Sequence, residues 1–147
     1  MKEKHINLIK MCVGAQTVSD LYNWQSKRLV KTCNSNKTYV RHITRMRPKR
    51  AEEILNGGSL YWVFKGFILA RQQILDLEDI LGTDDVMRCS INLDVQIFLT
   101  EVHRKRPFQG WRYLKFNEAP RDSRLFSEGD IQLPANLERG LLEIGIF

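Results

Sequence analysis

The sequence predicts an α+β fold. It is read as one domain over residues 1–147, with a mixed, mainly antiparallel curved sheet or pseudo-barrel of five to six strands and about three helices. Three observations predict it. Short β-favouring runs recur, bounded by glycine-containing turns. Helical signatures are interspersed and few, unlike the strict alternation of βαβ units. A chain of 147 residues with 43% apolar content buries enough surface to fold without a disulfide or metal staple.

The elements follow in order. Residues 5–13 are apolar-rich and read as a buried strand, broken by Gly14-Ala15. Thr17 opens a helix predicted to reach Thr32. The Thr17-x-x-Asp20 spacing makes a capping box, in which the hydroxyl accepts a backbone N–H and the carboxylate suits the positive helix end. Val18, Leu21, Tyr22 and Leu29 form its apolar face. Asn34-Ser35-Asn36 is a loop. Residues 38–46 form a strand with Val40, His42, Thr44 and Met46 on one side. Pro48 starts a short helix, where its missing N–H costs nothing, and Ala51, Ile54 and Leu55 give that helix its apolar face. Gly57 ends it.

Residues 59–65 are the clearest strand, and Lys65-Gly66 is the turn after it. Residues 67–78 fit strand or helix. A strand is preferred, because Gly82-Thr83-Asp84-Asp85 then becomes a hairpin tip leading into a strand over 86–93. Further strands are predicted over 95–102 and 111–116. Residues 117–132 read as loop, and Pro134 opens a final helix carrying Leu137, Leu141 and Leu142.

Composition excludes several classes. No apolar run approaches the ~18 residues of a membrane span. The first residues lack the long apolar stretch of a signal peptide, so a cytoplasmic location is expected. Cys12, Cys33 and Cys89 form no Cys-x-x-Cys pair; Cys12 and Cys89 lie in apolar runs and read as inert buried thiols. His5, His42 and His103 lack metal-ligand spacing, so neither a metal nor another cofactor is expected. A lone strand histidine such as His42 reads as a packed or surface residue. Gly57-Gly58-Ser59 lacks the spacing of a phosphate-binding loop. Glu52 and Glu53 point apart on a helix and make a poor acid/base pair.

What remains is charge. The net charge is +6, and two segments, residues 41–50 and 103–115, each carry five positive charges and no acid. Aromatics interleave with these cations in Arg106-Pro107-Phe108-Gln109-Gly110-Trp111-Arg112-Tyr113, and again in Tyr61-Trp62-Val63-Phe64-Lys65. Stacking on such rings is worth ~1–3 kcal/mol per base, and arginine meets phosphates or stacks itself. The combination suits unpaired nucleotides better than duplex grooves. The plainer alternatives are solvated basic loops and core aromatics.

Several stretches are distinctive: His42-x-Thr44-Arg45-Met46-x-Pro48-Lys49-Arg50, then Gly57-Gly58-Ser59-Leu60-Tyr61-Trp62-Val63-x-Lys65-Gly66, Arg71-Gln72, and Arg106 to Leu114. With them the chain resembles a bacterial family catalogued as a domain of unknown function, number 1489. That resemblance implies a stand-alone cytosolic bacterial protein and no established activity. A fold-level resemblance to the PUA-like superfamily, with its ASCH and EVE branches, implies a small pseudo-barrel that binds RNA or modified bases.

The leading expectation is a non-enzymatic module binding RNA or a modified base, with no membrane partner. Arg45, Arg47, Lys49 and Arg50 are expected to meet phosphates, with Arg106, Arg112 and Lys115 forming a second positive wall and Lys65 adding charge. Tyr61, Trp62 or Trp111 would stack on a base, and Arg71 or Gln72 would read its edge. The alternatives are a small nucleoside or nucleotide hydrolase using a desolvated Lys49 or Lys65, and a module docking an acidic protein. All rest on the two basic segments converging.

Overall fold

The computed structural model describes residues 5–31 and 38–126. It is a mixed α+β fold, mostly strand. The strands are β1 (Asn7–Met11), β2 (Leu29–Lys31), β3 (Thr38–Thr44), β4 (Ser59–Phe64), β5 (Phe67–Leu81), β6 (Met87–Asp94), β7 (Phe98–Arg104), β8 (Trp111–Leu114) and β9 (Asp122–Leu125). Two helices, α1 (Val18–Ser26) and α2 (Ala51–Leu55), and a 3-10 turn at Phe116–Glu118 complete the described elements. The nine strands form one sheet, three more than the upper end of the expected range.

The sheet path runs β2-β3-β6-β5-β4-β1-β8, with β7 and β9 branching from β5. Only β1 and β4 run parallel; the other pairs are antiparallel. The branch is possible because β5 is 15 residues long. Its first half pairs with β4 and β7, and its second half with β6. The registers slip between Ile68 and Ala70 and between Ile74 and Asp76, leaving Leu69 and Leu75 as extra residues. Such bulges bend a strand and raise its twist. The bend turns the two parts of the sheet around a shared core that includes Leu8, Leu60, Phe64, Ile74, Ile91 and Leu93.

Most sequence expectations hold locally. The capping box is formed: Asp20 N–H donates to Thr17 Oγ1 at 3.1 Å, and Thr17 N–H donates to Asp20 Oδ2 at 3.2 Å. Gly57 follows α2 with φ +109°, a backbone state that glycine alone adopts without strain. The ambiguous segment 67–78 is strand throughout.

Two further expectations are corrected. The helix from Thr17 stops at Ser26, and Leu29, placed on its apolar face, lies half-exposed in β2. Pairing of Leu29–Lys31 with Thr38–Val40 outweighs continuation of the helix. The segment read as loop contains β9, whose side chains are all exposed and which joins the sheet through its backbone pairing with β7 and through the Arg71–Asp122 ion pair. Strand β4 is buried on both faces, because a second small cluster (Ile9, Tyr61, Val63, Ile68 and Leu114) covers the side away from the main core. Cys33, the Asn34–Asn36 loop and the helix from Pro134 lie outside the described residues. No helix among those described is long and apolar enough to cross a membrane.

Candidate functional site

Strand β8 brings the two basic segments together. Pairing of Trp111–Leu114 with β1 sets Tyr113 beside the chain that leads into α2. The Tyr113 hydroxyl accepts the backbone N–H groups of Lys49 (2.9 Å) and Arg50 (3.3 Å). Trp111 Nε1 donates to the Met46 carbonyl at 3.0 Å. The Trp111 and Tyr113 rings meet edge to face at 5.0 Å, and the Arg50 guanidinium lies 5.6 Å from the Tyr113 ring centre. Two of the cations here are already neutralised. Arg47 donates to Asp79 at 3.1 Å and also to the Leu77 carbonyl; Arg50 pairs with Glu53. Arg45 and Lys49 are exposed and form no ion pair within the described residues.

Lys65 and Arg106 meet elsewhere. The Lys65-Gly66 turn between β4 and β5 lies against the end of β7, where Phe67 pairs with Arg104 and Lys105 N–H donates to the Gly66 carbonyl at 2.8 Å. The result is an open groove of about 650 Å³ lined by Lys65, Arg104, Lys105 and Arg106, with Phe67 in its wall and no carboxylate among the described residues of its lining. Arg104, Lys105 and Arg106 make no ion pair within the described residues. Three such charges around one concavity produce a focused positive field. Beyond the groove, Arg112 stacks over Phe108 at 5.3 Å.

Gln72 and Trp62 do not reach that surface. Gln72, expected at a base edge, is fully buried. Its Oε1 accepts from Trp62 Nε1 and from Gln25 Nε2, both at 2.9 Å. Its Nε2 donates to Gln25 Oε1 at 2.8 Å and to the Asp94 carbonyl at 2.9 Å. This amide pair ties α1 to the sheet.

Tyr61 and Arg71 lie on the opposite face of β4 and β5, in a cavity of about 570 Å³. Arg71 grips Asp122 through Nε (2.7 Å) and Nη2 (2.6 Å), donates from Nη1 to Ser59 Oγ at 2.8 Å, and lies over Phe98. The Asp122 hydrogen bond raises the Arg71 pKa, so the guanidinium is a paired cation and a fastening for β9. Burial pushes the Tyr61 hydroxyl upward. Asn7 Oδ1 accepts the Ser59 N–H, while Asn7 Nδ2 has no partner among the described residues. The expected site residues therefore divide among the β8–α2 contact, the cationic groove, the core and this cavity.

A further cavity of about 180 Å³ opens where β1, β3 and β4 meet α1. Lys10, Cys12, Trp24, His42 and Trp62 line it. His42 packs edge to face on Trp62 at 5.1 Å, and its Nε2 is sealed from solvent without a hydrogen-bond partner. Burial, helped by Lys10, lowers the His42 pKa to about 4, so the ring is neutral at pH 7. Burial raises the Cys12 thiol to about 12, which makes it unreactive.

The family model described as Protein of unknown function (DUF1489) matches residues 8–147. The chain belongs to the DUF1489 family. No curated protein and no solved structure matches it. The match spans both basic segments of this DUF1489 chain and every residue of the groove and the small cavity.

Sequence reasoning missed His42, Lys10 and Trp24 as a group. The alternation did place Val40 and His42 on the same side of β3, without telling which side faces inward. What carried no local signal was its facing Trp62, since strands β3 and β4 are not neighbours in the sheet. The buried neutral imidazole has a pH consequence. Unfolded, it titrates near 6.5; folded, near 4. Between those values the unfolded chain binds more protons, so its contribution to stability is present above about pH 6.5 and is lost as pH falls towards 4. The expected loss is about 3 kcal/mol. Urea unfolding at pH 7 and near pH 4.5 checks it, and His42→Phe is expected to remove that part of the slope.

Proposed function

We propose that this protein is a nucleic-acid-binding module whose ligand is single-stranded RNA or a strand bearing a modified base. The observation that carries the reading is the groove at the end of β7, where Arg104, Lys105 and Arg106 stand together without an ion pair among the described residues. Polyanion binding gains from release of counterions as cations replace them on phosphates. The Phe67 wall and the Arg112–Phe108 stack next to the groove favour unpaired bases, which offer π-faces. Arg45, Lys49 and the half-buried Trp111 form a second cationic, aromatic surface at the β8–α2 contact. A PUA-like pseudo-barrel is part of the same reading, supported by the bend of the nine strands around β5. A cytoplasmic location follows from such a ligand. The hydrolase alternative has less support, because Lys49 and Lys65 are both exposed and lack the desolvation that activates a lysine.

The test is fluorescence anisotropy with a short single-stranded RNA between ~50 and ~200 mM salt. Affinity is expected to fall steeply with salt. Lys105→Ala with Arg106→Ala is expected to flatten the log–log slope by about 1.4, roughly 0.7 per lost phosphate contact on a single strand. RNA binding absent at ~50 mM salt, or a double variant with the wild-type slope, overturns the reading. Capture of an acidic protein in place of RNA would select the docking alternative.

A further inference from the structure

We infer that the small cavity between β1, β3, β4 and α1 is a binding pocket for an uncharged planar heterocycle of nucleobase size. The inference goes beyond the polyanion reading, because it needs no phosphate contact and involves none of the four groove cations.

Size comes first. The cavity holds about 180 Å³. Apolar protein cavities of about 150 Å³ take a benzene ring, so this one has the scale of one small ring system. Its walls have the matching chemistry. Trp62 Nε1 is used by Gln72, so Trp62 offers the pocket only carbon and π-surface. Trp24 is 46% exposed and stands at the cavity with the Arg28 guanidinium 4.3 Å above its ring. Two indoles beside one ring-sized space favour a flat aromatic occupant.

Polarity narrows the class. The His42 Nε2 is buried without a partner, and no hydrogen bond among the described residues uses its Nδ1. A buried polar group left unpaired costs about 1–3 kcal/mol, and the polar edge of a heterocycle removes that cost once the imidazole turns Nε2 towards the cavity. The neutral imidazole carries one donor and one acceptor, which a nucleobase edge complements. Among the described residues Lys10 is the charged member of the lining, and no carboxylate stands in it. Cationic rings are therefore disfavoured. The unreactive Cys12 thiol makes the interaction one of binding, with no covalent step.

Such a heterocycle has two sources, a free nucleoside or an unstacked base within a strand. The experiment titrates adenosine, guanosine, cytidine and uridine into the full chain and follows tryptophan fluorescence, since Trp24 and Trp62 border the space. Saturable quenching by at least one nucleoside is expected. Its affinity should not change between ~50 and ~200 mM salt, because a nucleoside carries no phosphate. That salt independence separates this result from success or failure of the groove. His42→Phe keeps a ring of similar size and removes the hydrogen bond; about tenfold weaker binding is expected. Trp24→Leu changes a half-exposed residue and is expected to weaken binding similarly, with circular dichroism melting as the folding check. If single-stranded RNA displaces the nucleoside, the source is a base in a strand; if it does not, the source is the free nucleoside. Absence of saturable quenching with all four nucleosides overturns the inference. So does unchanged affinity in both folded variants.

Discussion

Gly58→Ala is expected to cost about 3–5 kcal/mol, enough to leave much of the protein unfolded in mild denaturant. A Cβ at position 58 would overlap the Ile6 carbonyl oxygen and stand 2.6 Å from the Ile54 carbonyl oxygen. Both are backbone atoms, and neither can step aside. Gly58 N–H donates to Ile54 at 2.7 Å, and the Gly58 carbonyl accepts from Ile74 N–H at 3.0 Å. Ile6 N–H is tied to the Glu53 carbonyl at 3.3 Å. Relief would therefore have to pull the end of α2 away from β1 and unseat the fully buried Ile54. The conformational freedom of glycine plays no part here; the cause is close approach of three segments. Urea unfolding measures the effect. A midpoint shift corresponding to less than ~1 kcal/mol would show that the segments separate easily.

Gln72→Leu is expected to cost about 3–4 kcal/mol despite its similar volume. The change deletes the acceptor for Trp62 Nε1 and both bonds to Gln25. Trp62, Gln25 and Gln72 are at most 4% exposed, so water does not replace the lost partners. The penalty comes mainly from stranded donors rather than from the strength of the bonds removed. A double-mutant cycle isolates this cause. Gln25→Leu with Gln72→Leu strands one amide fewer, so the pair is expected to cost less than the sum of the single changes. Strict additivity in chemical denaturation would assign the loss to packing instead.

The legible parts of the fold were those whose chemistry lies within a few residues. Thr17 and Asp20 announce the start of α1 because both capping bonds span three residues. Gly82 to Asp85 announces the hairpin that decides residues 67–78 as strand. The end of α1 was not legible, because Leu29–Lys31 gains its partner from Thr38–Val40. Strand β9 was not legible either, since Asp122–Leu125 has no inward side chain to set a period. The site divides the same way. The cationic character of 41–50 and 103–115 is plain in the sequence, and so is the aromatic content beside it. Which cations are neutralised depends on partners far along the chain: Arg47 with Asp79, and Arg71 with Asp122. Gln72 looks like a surface amide in sequence, yet its partner Gln25 is 47 residues away.

The double membership of β5 limits how this chain can come apart. Phe67–Arg71 holds β7 on one side, and Leu77–Leu81 templates β6 further along the same strand. A proteolytic nick or a slip within this one strand would release both halves together. Neither half survives as a fragment of its own, and the amides near the middle of β5 belong among the last to exchange with deuterium.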